Sequence, residues 1–147
     1  MELTGGEPLL QPAAPFLAKM LLDAGYQVLI ETSGAQDISV LDARVIKIMD
    51  LKCPGSGECH RNRYENIKFL NRRDEVKFVI ANREDYLWAR IMTEEHLLKV
   101  GCTVLYSPVF GVLDNQTLAS WILNDQLPVR FQIQLHKYIW DPQQRGV

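Results

Sequence analysis

Gly25-Tyr26-Gln27-Val28-Leu29-Ile30-Glu31-Thr32-Ser33-Gly34 holds the transition that fixes the reading of the whole chain. Just before it, Phe16, Leu17, Met20, Leu21 and Ala24 recur at helical spacing. Gly25 stands where a helix C-terminal cap belongs, because glycine enters the left-handed region at little cost. Val28-Leu29-Ile30 is a short apolar run, a strand signal, and it gives way to the polar Glu31-Thr32-Ser33-Gly34. Helix, glycine, strand and polar turn therefore follow one another within a short stretch.

The same order repeats outward in both directions. Upstream, Glu2-Leu3-Thr4 can act as a strand launching Gly5-Gly6. Downstream, the run Val45 to Met49 ends in Asp50-Leu51-Lys52-Cys53-Pro54-Gly55, and a helix around Glu65 to Arg72 leads to the run Val76 to Ile80. Asn82 can cap a helix containing Tyr86, Leu87 and Ile91, followed by Leu97 and Leu98. Thr103 to Tyr106 ends in Ser107-Pro108-Val109-Phe110-Gly111, and Asp114 or Asn115 starts a helix with Leu118, Trp121 and Ile122 that stops near Pro128. A last run, Val129 to Leu135, alternates apolar residues with Arg130, Gln132 and Gln134 before His136-Lys137. Strands alternating with helices make an α/β fold with a mostly parallel sheet and right-handed crossovers. The polar motifs follow strands, and in such folds the carboxyl ends of the strands share one ligand-binding rim. The expected organisation is a single domain, residues 1–147, with those motifs converging on one mouth.

Composition narrows the class. The chain has 147 residues, 47% of them apolar and 23% charged, with a formal net charge of −2. That is the balance of a globular protein and lacks the basic excess of a nucleic-acid binder. No apolar run approaches the roughly 20 residues that span a bilayer, and the first residues lack the parts of a signal peptide. Three cysteines, an odd number, suit a cytoplasmic protein better than a disulfide scaffold.

Each motif has a plain and a chemical reading. In Thr4-Gly5-Gly6-Glu7-Pro8, two glycines let backbone approach a ligand, and Glu7 offers an acceptor for a protonated amine; a glycine pair is also a common turn. Glu31-Thr32-Ser33-Gly34 is a strand end with a hydroxyl-rich turn. Asp50 and Lys52 share a face of an extended strand and form either an internal ion pair or a ligand contact. Cys53, Cys59 and His60 fit neither a zinc ribbon nor a Cys-x3-Cys-x2-Cys cluster loop, and Cys102 is expected to pack as a small hydrophobe. The alternating last run is either a central strand lining a cavity or an edge strand with one wet side. Arg61-Asn62-Arg63 and Arg72-Arg73 read as solvated surface, and Trp88 and Trp121 as core.

Taken together, Thr4-Gly5-Gly6-Glu7-Pro8-Leu9-Leu10-Gln11-Pro12, Glu31-Thr32-Ser33-Gly34, Asp50-Leu51-Lys52-Cys53-Pro54-Gly55-Ser56-Gly57, Ser107-Pro108-Val109-Phe110 and Gln134-Leu135-His136-Lys137-Tyr138-Ile139-Trp140-Asp141-Pro142 resemble the 7-carboxy-7-deazaguanine synthases, radical S-adenosylmethionine enzymes. The resemblance implies a partial, modified (β/α) barrel, here missing its first strand–helix units. It implies cofactor contacts at Gly5, Gly6, Glu7, Glu31, Ser33, Cys53, Pro54, Gly55, Ser107, Pro108, Val109 and Phe110, and pterin contacts at Thr4, His136 and Pro142. It also implies S-adenosylmethionine, a 4Fe-4S cluster and Mg2+, an electron donor of flavodoxin type, and a homodimer. The reaction of the family converts 6-carboxy-5,6,7,8-tetrahydropterin to 7-carboxy-7-deazaguanine by ring contraction with loss of ammonia, on the route to queuosine. Leu135 departs from the threonine more usual in the family, and residues following Pro142 displace any role for a terminal carboxylate there.

The glycine turn comes so early that the chain is expected to begin mid-fold, without the cluster cysteines and the magnesium ligand, and to be inactive as it stands. A bared sheet edge would then favour self-association. Two alternatives remain: another radical S-adenosylmethionine activating enzyme, and a cluster-free domain that binds S-adenosylmethionine or a nucleotide or serves in assembly.

Overall fold

Short apolar runs separated by glycine-ended helices build an open parallel sheet in the computed structural model, which describes residues 1–144. Its strands are β1 (Glu2–Leu3), β2 (Leu29–Thr32), β3 (Ile46–Asp50), β4 (Glu75–Ile80), β5 (Thr103–Pro108) and β6 (Arg130–Phe131). All neighbours pair in parallel, in the order β1-β2-β3-β4-β5-β6. Helix α1 (Ala14–Asp23) links β1 to β2, α2 (Arg83–Met92) and α3 (Leu98–Val100) link β4 to β5, and α4 (Asn115–Asn124) links β5 to β6. The sheet does not close on itself, so the architecture is an α/β partial barrel.

Alternation along the strands sends one set of side chains to the helices and the other to the mouth. Ile30, Met49, Val76, Phe78, Ile80, Val104 and Tyr106 are buried with Ala18, Ala89 and Leu118 of the helices. Glu31, Ile48, Asp50 and Lys77, on the other face, line a cavity. Edge-on aromatic contacts hold α2 on β4 and β5, Phe78 meeting Trp88 at 5.8 Å and Tyr106 at 5.7 Å and Tyr86 meeting Tyr106 at 6.0 Å, while a tilted contact of 5.2 Å between Tyr86 and Trp121 joins α2 to α4. Trp88 and Trp121 pack against the core, as their spacing suggests. At the amino-terminal end of the sheet, Lys47 and Asp74 form a fully buried ion pair at 3.3 Å. Asp74 also accepts from the backbone of Lys47 and Asn71, the additional bonding that a buried charge requires.

Several expectations are corrected. The run from Val129 to Leu135 is not one strand: β6 stops at Phe131, at the edge of the sheet. Gln132 N donates to Tyr106 O at 2.9 Å, and with no strand beyond β6 among the described residues the following chain turns away. His136 therefore opens a short helix, α5 (His136–Ile139), instead of ending a strand. The helix expected around Glu65 is a tight 3-10 segment, Tyr64–Phe69. Ser107 and Pro108 lie inside β5, paired with Val79 and Ile80. Helix α1 buries its small-residue face, Ala14 and Ala18, which permits close approach to the sheet; Phe16, Leu17 and Met20 are 68%, 46% and 54% exposed. No helix among the described residues is long and apolar enough to cross a membrane. The last residues of the tail, 145–147, lie outside the described residues.

Candidate functional site

β1 delivers the glycine turn directly to the carboxyl end of the sheet. Gly5 and Gly6 sit at φ +96 and +63, and a Cβ on either would meet no atom within 4 Å, so the turn presents bare backbone to open space. Glu7 caps the next turn by accepting from Leu9 N at 3.1 Å. The same carboxylate accepts from Thr32 Oγ1 at 3.0 Å, from Ser33 N at 2.7 Å and from Ser33 Oγ. Burial pushes this carboxyl up, but the hydrogen bonds from Ser33, Leu9 and Thr32 outweigh it and hold the group below its usual range. Glu7 thus stitches the glycine turn to the end of β2, its oxygens engaged by protein donors. Thr4 Oγ1 donates to Glu31 Oε2 at 2.8 Å, a second stitch between the same strands.

At the end of β3, Lys52 Nζ lies 2.8 Å from Asp50 Oδ2. Ion pair and cavity wall coincide here, because both residues line cavities. Asp50 Oδ1 is buried and has no hydrogen-bond partner among the described residues, an acceptor that they leave without a donor. Lys77 of β4 stands beside Asp50 in register. Past Lys52 the chain makes a tight turn, Pro54–Ser56, closed by Ser56 Oγ donating to Cys53 O at 2.6 Å.

Besides one of about 210 Å³ lined by Glu7, Ser33, Lys52 and Asn62 among others, three cavities adjoin at this rim. The first, about 220 Å³, is lined by Thr4, Gly5, Gly6, Glu31, Ser33, Asp50, Lys52 and Lys77 among others. The second, about 360 Å³, shares Asp50 and Lys52 and adds Cys53, Gly55, Asp85 and Val109. The third, about 620 Å³, is lined by Glu2, Thr4, Glu31, Lys77, Gln132, Gln134 and His136. Thr4, Glu31 and Lys77 belong to both the first and the third, so the glycine turn and His136 face one mouth. Pro54, Ser107, Pro108, Phe110 and Pro142 are not among the lining residues. Phe110 instead packs edge-on against Tyr138 of α5 at 5.2 Å, and Pro142 is exposed.

The loops of this rim are shaped by side chains whose role was not evident from the sequence. Asn62, within an apparent surface charge run, is buried and pairs its amide with both Lys52 N and Lys52 O at 2.9 Å. Asn66 donates to Gly34 O and Gln36 O and accepts from Ile38 N, fixing the chain after β2. Asp85 is 1% exposed and accepts from Gly55 N at 2.7 Å and Ala81 N at 3.0 Å. Its sequence signal was an ordinary one, an acidic residue three positions after the cap Asn82. Lys77 had the period-two placement that puts a cation on the mouth face.

The cysteines do not fit an iron–sulfur cluster. All three are free thiols, Cys53 and Cys102 buried and Cys59 half-buried; without a metal, burial pushes the Cys53 thiol far up and raises Cys102 to about 11. No group of three His, Cys, Asp or Glu side chains able to hold a metal occurs among the described residues. S-Adenosylmethionine is a better match: open glycine backbone, an unpartnered acceptor at Asp50, and an adjoining cavity walled by Leu51, Val79, Ala81 and Val109.

No family model matches the chain. It is 45% identical, over its full length, to a 7-carboxy-7-deazaguanine synthase of Koribacter versatilis (strain Ellin345), of which it spans 71%. It is likewise 45% identical over its full length to a synthase of that name from Chlorobaculum tepidum, spanning 68% of it. A third, from Methanospirillum hungatei, is 40% identical over 95% of this chain and 58% of its own length. Among solved structures, the crystal structure of QueE from Escherichia coli matches with a TM-score of 0.66 at 18% identity, over 90% of this chain and 55% of that one. That likeness is one of fold.

Proposed function

The chain belongs to the 7-carboxy-7-deazaguanine synthase family, and from that premise we propose that its mouth binds S-adenosylmethionine beside 6-carboxy-5,6,7,8-tetrahydropterin for conversion to 7-carboxy-7-deazaguanine. The observation that carries this reading is the shared lining of the cavities. Gly5 and Gly6 border the same mouth as His136, and Thr4, Glu31 and Lys77 are common to both sides.

The roles follow from the chemistry of each group. Bare backbone at Gly5 and Gly6 lets the amino acid part of the cofactor approach closely, while Glu7 holds Ser33 in place beside it. Asp50 Oδ1 accepts from a ligand hydroxyl or amine, because nothing among the described residues donates to it. The second cavity, bordered by Cys53, Gly55 and Val109, takes the adenosyl part. Thr4, His136 and the amides of Gln132 and Gln134 offer donors and acceptors to the polar edge of a pterin. When bound, S-adenosylmethionine supplies the carbon centre that removes hydrogen from the substrate; the chain's part is orientation and exclusion of water. The 4Fe-4S cluster implied by the family has no ligand set among the described residues. We expect these 147 residues alone to be inactive. The free state of all three cysteines accords with a cytoplasmic setting.

Calorimetry tests the assignment. The chain is expected to bind both S-adenosylhomocysteine and 6-carboxypterin, with His136→Ala weakening the pterin about tenfold, the loss of one good hydrogen bond to a charged ligand, and sparing the adenosyl ligand. A chain that binds neither overturns this assignment of the mouth. Adenosyl binding without pterin binding would favour the second reading, a cluster-free adenosyl-binding domain.

A further inference from the structure

Asp85 is an almost fully buried carboxylate that the roles above leave unused. It sits in the first turn of α2, where Asn82 Oδ1 accepts from Asp85 N at 2.9 Å and caps the helix. Its own carboxylate reaches away from the helix. Oδ1 accepts from Gly55 N at 2.7 Å and Oδ2 from Ala81 N at 3.0 Å. Gly55 belongs to the turn after β3, and Ala81 follows β4, so one side chain spans two neighbouring rim loops. Both loops wall the cavity of about 360 Å³, together with Val79 and Val109.

The fit leaves no slack. A Cβ on Gly55 would lie 2.7 Å from Asp85 Oδ2 and 3.0 Å from Oδ1, inside van der Waals contact, so the turn approaches this closely only as glycine. A carboxylate is also the one small group that accepts on both oxygens at once. An amide in its place would point an NH2 at either Gly55 N–H or Ala81 N–H.

We propose that Asp85 is the positioning residue of the adenosyl cavity, its carboxylate setting the distance between the Gly55 and Ala81 walls without itself donating to the ligand. This rests on the adenosyl reading of that cavity. It differs from a capping role, because Asn82 already caps α2 and Asp85 contributes only its backbone N–H to that cap.

The test compares Asp85→Asn, Gly55→Ala and Asn82→Ala in the 147-residue chain. It measures S-adenosylhomocysteine affinity, thermal midpoint, and amide exchange at Gly55 and Ala81. Asp85→Asn is expected to weaken the adenosyl ligand tenfold or more and to speed exchange at Gly55 or Ala81. Gly55→Ala, which pushes on the same contact from the other side, should give a comparable loss, and the double variant little more than either. Asn82→Ala, which removes the cap and spares the carboxylate, should lower the midpoint and leave affinity unchanged. Should Asp85→Asn not fold, Gly55→Ala set against Asn82→Ala gives the same contrast. Affinity that stays level in Asp85→Asn despite faster exchange overturns the proposal, as does affinity that merely tracks stability across all variants. If the unaltered chain binds no S-adenosylhomocysteine, the adenosyl reading itself falls, an outcome recognisable before any variant is made.

Discussion

Glu7 shows how a residue can belong to a binding motif and still act through its neighbours. Its oxygens hold Ser33, Thr32 and Leu9, so Glu7→Gln, which keeps one acceptor and adds two donors, should cost about 1–3 kcal/mol. The hydrogen bonds hold its folded pKa below the unfolded value. Its stabilisation is therefore complete above the ordinary carboxylate range and is lost as pH falls through the folded value. Urea melts between neutral and acid pH should show a steeper acid loss in the parent chain than in Glu7→Gln. The cysteines allow a second check. Burial raises Cys53 and Cys102, while Cys59 is only half-buried, so brief alkylation of the folded chain should label Cys59 first, with the other two following on unfolding; peptide mass mapping reads the order.

At the scale of elements, α1 and β3 are the instructive pair. The helical spacing of Phe16, Leu17 and Met20 marked the helix correctly but not its inner face, because Ala14 and Ala18 look featureless in a sequence and yet permit the close packing. Ala18→Leu should destabilise by roughly 1–3 kcal/mol through overpacking, whereas Phe16→Glu should cost little. The outward stripe lies on the helix that follows β1, an edge strand paired on one side among the described residues, and light scattering is expected to show association beyond the 16.9 kDa monomer that Phe16→Glu reduces. Beneath β3 and β4, removing one partner of the Lys47–Asp74 pair strands a buried charge, so Asp74→Ala should lose about 3–5 kcal/mol in denaturant titration.

For the whole molecule, the α/β class and the parallel sheet were legible because short apolar runs, caps and polar turns each obey local rules, whereas those rules leave the strand order open. The edge position of β6 was not, since alternation in 129–135 describes a strand without naming its partners. The rim-building roles of Asn62, Asn66 and Asp85 were hidden for a related reason: their bonds join residues 10, 28 and 30 positions apart, and nothing local reports them. Binding motifs announce themselves by composition, whereas the residues that shape them do so only in three dimensions.

The sheet runs β1 to β6 in chain order, each strand beside the one made just before it. A nascent polypeptide could lay down such a sheet as it leaves the ribosome, every new strand finding its template already in place. The segment carrying His136 comes after β6, so among the described residues the wall it adds to the mouth is made after those of the other strands.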